Sequence, residues 1–333
     1  MTVSTADIPT PTGATASRAR EVLTGSVTSI GATLIIVIIV GLSLIGPSFL
    51  QPSNITIIGA FVAVPMLIAA FSGFALLAGV VDLSIGSMVG FSSAIFGSFL
   101  GLGWNLYLAA AVTLVCCVCF GAINAIAIVG FGADAIAATL GMLVALRGVC
   151  YLVAGPTGSV VAFDPDFYGL VNQPVGPLPL LFVVSLVAIA VATFIVMRTR
   201  SGRHVQAVGG DDRAAARAGI SVPRVRSIAL MLSALGAGLG GIFYVGQLGS
   251  ASNLTGTGLE FQVYAAMMIG GYSILRGGVG NPIGGALGLL VVAGASNIID
   301  VRAISPYFTN IIVGLLLLAA VLLDRLRGGD AFE

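Results

Sequence analysis

Leu178-Pro-Leu-Leu-Phe-Val-Val-Ser-Leu-Val-Ala-Ile-Ala-Val-Ala-Thr-Phe-Ile-Val-Met197 is followed at once by Arg198-Thr-Arg-Ser-Gly-Arg203. The first stretch carries no charge and is as long as the helix of about 20 residues that crosses a hydrocarbon core. The second sets Arg198, Arg200 and Arg203 directly beyond it. An apolar run with an abrupt basic flank reads as a membrane helix that ends on the cytoplasmic side. Working outward, similar runs lie at 28–46, 55–79, 85–101, 106–129 and 136–154, and again at 227–248, 258–275, 281–298 and 304–323. With 178–197 they predict an all-α polytopic membrane protein of about ten transmembrane helices. The third run is short and Gly-rich, and the eighth is interrupted by Gly270 and Gly271. Either is a candidate for a broken or re-entrant segment, which a membrane tolerates only where protein or a cavity covers the exposed backbone.

Composition agrees. Only 8% of the 333 residues are charged and 58% are hydrophobic, whereas soluble domains are about 25% charged. The mean hydropathy is +1.11. A formal net charge of +1 provides no field for nucleic acid. The 46 Gly suit closely packed membrane helices. Cys116, Cys117, Cys119 and Cys150 lack zinc spacing and read as small apolar residues, so no metal is expected. His204 reads as solvated. Trp104 with Tyr107 reads as an interfacial anchor. Gly236-Ala-Gly-Leu-Gly-Gly241 matches the dinucleotide pattern, yet it lies inside an apolar helix and reads as helix packing. All 14 basic residues are Arg. A phosphate-binding P-loop requires Lys, so ATP-driven work would need ATP-Mg bound by another polypeptide; no cofactor is expected in this chain.

The Arg positions set an expected orientation. Arg198, Arg200, Arg203, Arg213, Arg217, Arg224 and Arg226 crowd one loop, Arg18 and Arg20 the N-terminal tail, and Arg325 and Arg327 the C-terminal tail. Placing all three in the cytoplasm requires an even number of crossings between them. Six runs before the loop and four after it satisfy this. The segment 155–179, with Asp164, Asp166 and no Arg, then falls outside. The expected organisation is a cytoplasmic tail over 1–27, a membrane domain over 28–327 with its loop at 198–226, and a tail over 328–333. The run from Thr28 reads as a first span and not a cleaved signal.

Within the loop, Asp211 is a good N-cap and Asp212 suits the positive end of a helix. The Ala-rich stretch to Ala218 predicts a short helix, ended by Gly219. Arg213 and Arg217, four residues apart, share a face. With Ala214 they form a surface able to dock in a groove of a cytoplasmic partner; the same Arg residues also suffice simply to set topology. Asp82 and Asp134 lie near cytoplasmic turns and read as N-caps of the third and fifth helices, although an acid near a membrane helix is also a candidate functional group. Arg147 is the most deeply placed charge. Its fork of donors suits a hydroxyl-rich or carboxylate ligand, or backbone carbonyls or an acid on a neighbouring helix. Glu260 and Arg276 bracket the eighth run and read as helix-end or interface groups, and Asp300 with Arg302 as a solvated local pair.

Val81-Asp-Leu-Ser-Ile-Gly86, Ala138-Thr-Leu-Gly-Met142 with Arg147-Gly148, the loop Arg200–Ile220, Ile269–Gly280, and Val321-Leu-Leu-Asp-Arg-Leu-Arg327 form an ordered set of motifs along the chain. Together they resemble the permease subunits of sugar-importing ATP-binding-cassette transporters, the ribose, arabinose and xylose group. The resemblance runs from about residue 30 to 327. Ala135 departs from the Pro that relatives often carry there, and Asn281-Pro282 is a second departure. The resemblance implies a multi-pass protein of the bacterial inner membrane, working by alternating access beside a second permease copy, ATP-binding-cassette ATPase subunits and a periplasmic or extracellular solute-binding protein. It implies that Asp211, Asp212, Arg213, Ala214, Arg217 and Gly219 couple the chain to the ATPase, and it makes Arg147, Asp82 and Thr139 candidates for the substrate path. The rivals are an ion-coupled secondary transporter, and an importer permease for branched-chain amino acids or nucleosides.

Overall fold

The structure, a computed structural model, describes residues 38–305 and 307–327. The expected tails, 1–27 and 328–333, and the start of the first run lie outside the described residues.

The chain is a bundle of helices with small β elements at one end. In order they are α1 (Ile38–Leu50), α2 (Pro52–Leu77), α3 (Ile85–Gly101), α4 (Leu106–Ala125), α5 (Ala135–Ala154), β1 (Ser159–Val161), α6 (Pro165–Val171), β2 (Pro174–Val175), β3 (Leu178–Pro179) and α7 (Leu180–Arg198). Then come α8 (Arg200–Gly210), α9 (Asp212–Arg217), α10 (Val222–Leu248), β4 (Ser250–Ser252), α11 (Leu259–Ile269), α12 (Pro282–Val301) and α13 (Tyr307–Arg327). Among the described residues six helices are long and apolar enough to cross a membrane: α2, α4 with its π-helical extension to Gly130, α5, α7, α10 and α12.

The helix ends follow local chemistry. Asn105 caps α4 by accepting from the Tyr107 N–H at 3.0 Å. Asp134 caps α5 by accepting from the Ala137 N–H at 2.9 Å. Asn281 caps α12 by accepting from the Ile283 N–H at 3.0 Å. Each cap satisfies a donor that has no partner within the helix.

α10 is the hub of the bundle, packed on α2, α3 and α4. Its glycines make that possible. A Cβ on Gly236 would run into Phe71, one on Gly240 would come within 2.9 Å of Ile68, one on Gly238 within 2.9 Å of Cys117, and one on Gly241 would overlap Val89 O and Ser92. The Gly236–Gly241 pattern is thus a three-sided packing surface. A second group, α11 to α13, leans on α2 through α12. In it Gly270 meets the Gly284 backbone, and Gly288 meets Ala266 O.

The eighth run, 258–275, is broken at the Gly270-Gly271 pair, as its glycines suggested, and is not a full span. α11 covers only its first part and rises about 16 Å at 1.5 Å per residue. The chain reaches its start through Gly256 and Gly258, both at positive φ (+74° and +78°), and leaves its end at Gly270. The third run, by contrast, is an ordinary helix of about 25 Å. The segment 155–179 is also more than a loop. β1 pairs antiparallel with β4, α6 is capped by Asp164, and β2 pairs with β3.

Candidate functional site

The Arg-rich end of the bundle carries the most developed surface. α8, expected only as loop, is an 11-residue helix. Thr199 caps it, with its hydroxyl accepting from the Gly202 N–H at 3.2 Å and donating to Ile195 O at 2.7 Å. Gly202 and Val208 face inward, while Arg203 and His204 are exposed. The Thr cap and the spacing of Gly202, Val205 and Val208 were the sequence signals for it.

A single residue, Asp211, ends α8 and starts α9. Its carboxylate accepts from the Ala214 N–H at 2.9 Å. Gly219, φ +82°, follows the C-cap Ala218. On α9 Ala215 is buried, whereas Arg213, Ala214 and Arg217 are exposed. Asp212 pairs with Arg226 of α10 at 3.2 Å, and Arg226 also donates from Nε to Ala78 O at 3.3 Å, just beyond α2. Sequence reading missed this pair, because fourteen residues and a helix break separate its members.

A junction of glycine backbones fixes α8 to the bundle. Gly278 N–H donates to Leu77 O at 2.8 Å. A Cβ on Gly209 would overlap Leu77 O and Gly278 N and lie 3.0 Å from Gly277 C; one on Gly277 would lie 2.7 Å from the Gly79 Cα. No side chain intervenes, so α8, the end of α2 and the loop between α11 and α12 meet as bare backbone. Asp324 of α13 braces that loop by accepting from the Ser273 hydroxyl at 2.8 Å and the Leu275 N–H at 3.3 Å. α8 and α9 thus contact α2, α10 and the α11–α12 loop directly.

The three candidate path residues do not converge on one site. Thr139 is buried, and its hydroxyl donates to Ala135 O at 2.8 Å within its own helix. Asp82 is 1% exposed and does not cap α3, whose N-cap position is Ser84. Its carboxylate accepts from Ser84 N–H at 3.1 Å, from the Ser84 hydroxyl at 2.5 Å and from the Ser233 hydroxyl of α10 at 2.7 Å. Asn124 of α4 donates to the Ser84 hydroxyl at 3.1 Å, and the Tyr264 hydroxyl of α11 both accepts from Asp82 N–H at 3.1 Å and donates to Asp82 O at 3.0 Å. The carboxylate thus joins the start of α3 to α10, and Asn124 and Tyr264 bring α4 and α11 to its immediate neighbours, the Ser84 hydroxyl and the Asp82 backbone.

Arg147 donates from Nη1 to Asn253 O at 3.0 Å and Thr255 O at 2.8 Å. These carbonyls belong to the run of turns before α11, where backbone inside the bundle lacks helical partners and must be satisfied otherwise. Glu260, 5% exposed, lies against Gly86, one turn of α3 away from the Gly90–Arg147 contact; its Oε2 has no hydrogen-bond partner. Asp300 and Arg302, expected to pair, are exposed and make no ion pair. Trp104 stacks on Phe99 with ring centroids 4.4 Å apart. Among the described residues no cluster of His, Cys, Asp or Glu is able to hold a metal ion.

Residues 55–321 match a family model described as "Branched-chain amino acid transport system / permease component". The chain is 31% identical over 301 residues to the ribose import permease protein RbsC of Escherichia coli strain K12, covering 89% of this chain and 92% of that one. It is 32% identical over 299 residues to the D-allose transport system permease protein AlsC of the same strain, covering 89% and 91%. It is 32% identical over 286 residues to the autoinducer 2 import system permease protein LsrC of Enterobacter sp. strain 638, covering 85% and 82%. No solved structure matches the chain.

Proposed function

The chain belongs to the family of branched-chain amino acid transport system permease components, and from that premise we propose that it is the membrane subunit of an ATP-driven importer for a sugar or sugar-like solute. The similar proteins are named for ribose, D-allose and autoinducer 2; ribose and allose are neutral, hydroxyl-rich molecules. In this reading the chain sits in the bacterial inner membrane with about ten spans and both termini in the cytoplasm. It works with a second permease copy, with ATPase subunits that bind ATP-Mg, and with an extracytoplasmic solute-binding protein. An ion-coupled transporter acting alone is not favoured, because the relatives are import permeases over most of their length.

One observation supports the reading most: the exposed Arg213, Ala214 and Arg217 of α9 follow directly on α8, which meets α2 and the α11–α12 loop as bare backbone, and Asp212 ties α9 to Arg226 of α10. α8 and α9 project as a knob toward a cytoplasmic ATPase. Closure of the ATPase pair displaces the knob, and the glycine junction passes the displacement to the ends of the membrane helices. The chain hydrolyses nothing in this scheme; it provides the path and the lever.

Mild-detergent purification of the tagged chain from its native membrane, followed by mass spectrometry, tests the proposal. A stoichiometric partner carrying a P-loop is expected. Recovery of the chain alone, with ATP-independent transport after reconstitution, would overturn it.

A further inference from the structure

α11 begins inside the bundle, about 16 Å from its own C-terminal end at Ile269. Beside that beginning lies a cavity of about 190 Å³, lined by Tyr244, Thr257, Leu259, Gln262, Thr309 and Val313 among others. Tyr244 is one turn from the end of α10 and Thr309 is in the first turn of α13. The cavity thus belongs to the end of the bundle remote from α8 and α9.

Its chemistry is uniform. Among the described residues no charged side chain lines it. The hydroxyls of Tyr244, Thr257 and Thr309 and the amide of Gln262 make no hydrogen bond to any described residue, although Ser, Thr and Asn side chains elsewhere in the bundle commonly do. Each of the four groups both donates and accepts. Leu259 and Val313 supply apolar wall. The volume is below the range of about 300–1,000 Å³ for drug-sized ligands, so the occupant is small. Arg147 holds the turn that carries the lining residues Leu254, Gly256 and Thr257 through Asn253 O and Thr255 O.

We propose that this cavity is a receiving site within the permease for one small, uncharged, polyhydroxylated molecule, held by Thr257, Gln262, Thr309 and Tyr244. The proposal rests on the functional reading above and adds to it: solute pauses in the permease wall before the path opens inward. Alternating donor–acceptor groups against an apolar wall match a sugar ring, which has hydroxyls at its edge and C–H groups on its faces. An amino acid zwitterion would leave two charges unpaired there.

The test measures uptake of radiolabelled D-ribose, D-allose and a panel of neutral pentoses, hexoses and polyols by the assembled transporter in proteoliposomes, beside ATP hydrolysis. Thr257→Val, Thr309→Val and Gln262→Leu are each expected to lower solute moved per ATP hydrolysed by tenfold or more, with membrane abundance and hydrolysis at wild-type levels. Thr257→Ser and Thr309→Ser are expected to retain uptake. Wild-type uptake in the Val and Leu variants overturns the site and leaves the importer reading standing. Equal loss in the Ser and Val variants, with hydrolysis lost too, shows a structural role and also overturns the site. A wild-type protein that moves no solute in the panel overturns the importer reading and the site with it.

Discussion

Gly209→Ala tests whether α8 is locked to the bundle through bare backbone. The added Cβ would overlap Leu77 O and Gly278 N, and neither atom is the movable tip of a side chain. Overpacking of this kind costs about 1–3 kcal/mol. Separating the strands of the junction also strains the Gly278–Leu77 hydrogen bond of 2.8 Å, worth about 0.5–1.5 kcal/mol. The docked arrangement should lose about 1.5–4.5 kcal/mol, and each 1.4 kcal/mol is tenfold in population. Detachment of α8 and α9 would therefore become about tenfold to a thousandfold more frequent. Exposed arginines at 203, 213 and 217 provide tryptic sites on these helices, and cleavage of a transiently opened segment tracks its open population. Gly210→Ala is the matched control, because a Cβ there meets nothing within 4 Å. We expect cleavage of Gly209→Ala in this region to be at least tenfold faster than wild type, and Gly210→Ala to behave as wild type. Equal rates in the two variants would refute the junction.

Asp82→Ala removes the acceptor for three donors in a site 1% exposed; at about 1.5–3 kcal/mol for a hydrogen bond to a charged group, it should lower thermal stability in detergent strongly, with Asp82→Asn intermediate, as a thermal-shift measurement would show. Arg147→Met leaves Asn253 O and Thr255 O unsatisfied within the bundle and should cost several kcal/mol, seen as a lower melting temperature and reduced uptake, with Arg147→Lys losing less. Reversing Arg213 and Arg217 to Glu touches only exposed positions, so membrane insertion and melting temperature should hold while ATPase co-purification and uptake fall away.

Sequence reading recovered what depends on local pattern. Long apolar runs such as 180–198 became helices because nothing in them favours any other state in lipid. Asp134, Asp211 and Gly219 were legible because a cap is decided within three or four residues. The break after α11 was legible in the Gly270-Gly271 pair, where the helix ends; its late start was not, because the turns at Gly256 and Gly258 are held by carbonyls that Arg147, more than a hundred residues earlier, satisfies. Asp82 likewise looked like a cap in one dimension, and only the arrival of Ser233 and Tyr264 from distant helices turns it into a buried knot. The partners of Gly209 were invisible for the same reason, since a glycine records only that space is short and not what fills it.

The most direct test of the central claim is solute uptake in proteoliposomes that hold the chain with its co-purified partners, with and without ATP-Mg on the side reached by α8 and α9. Uptake that requires ATP-Mg and vanishes when the partner's P-loop Lys is replaced is the predicted result. Uptake that runs at the same rate without ATP, driven by an ion gradient across the chain alone, would contradict the account.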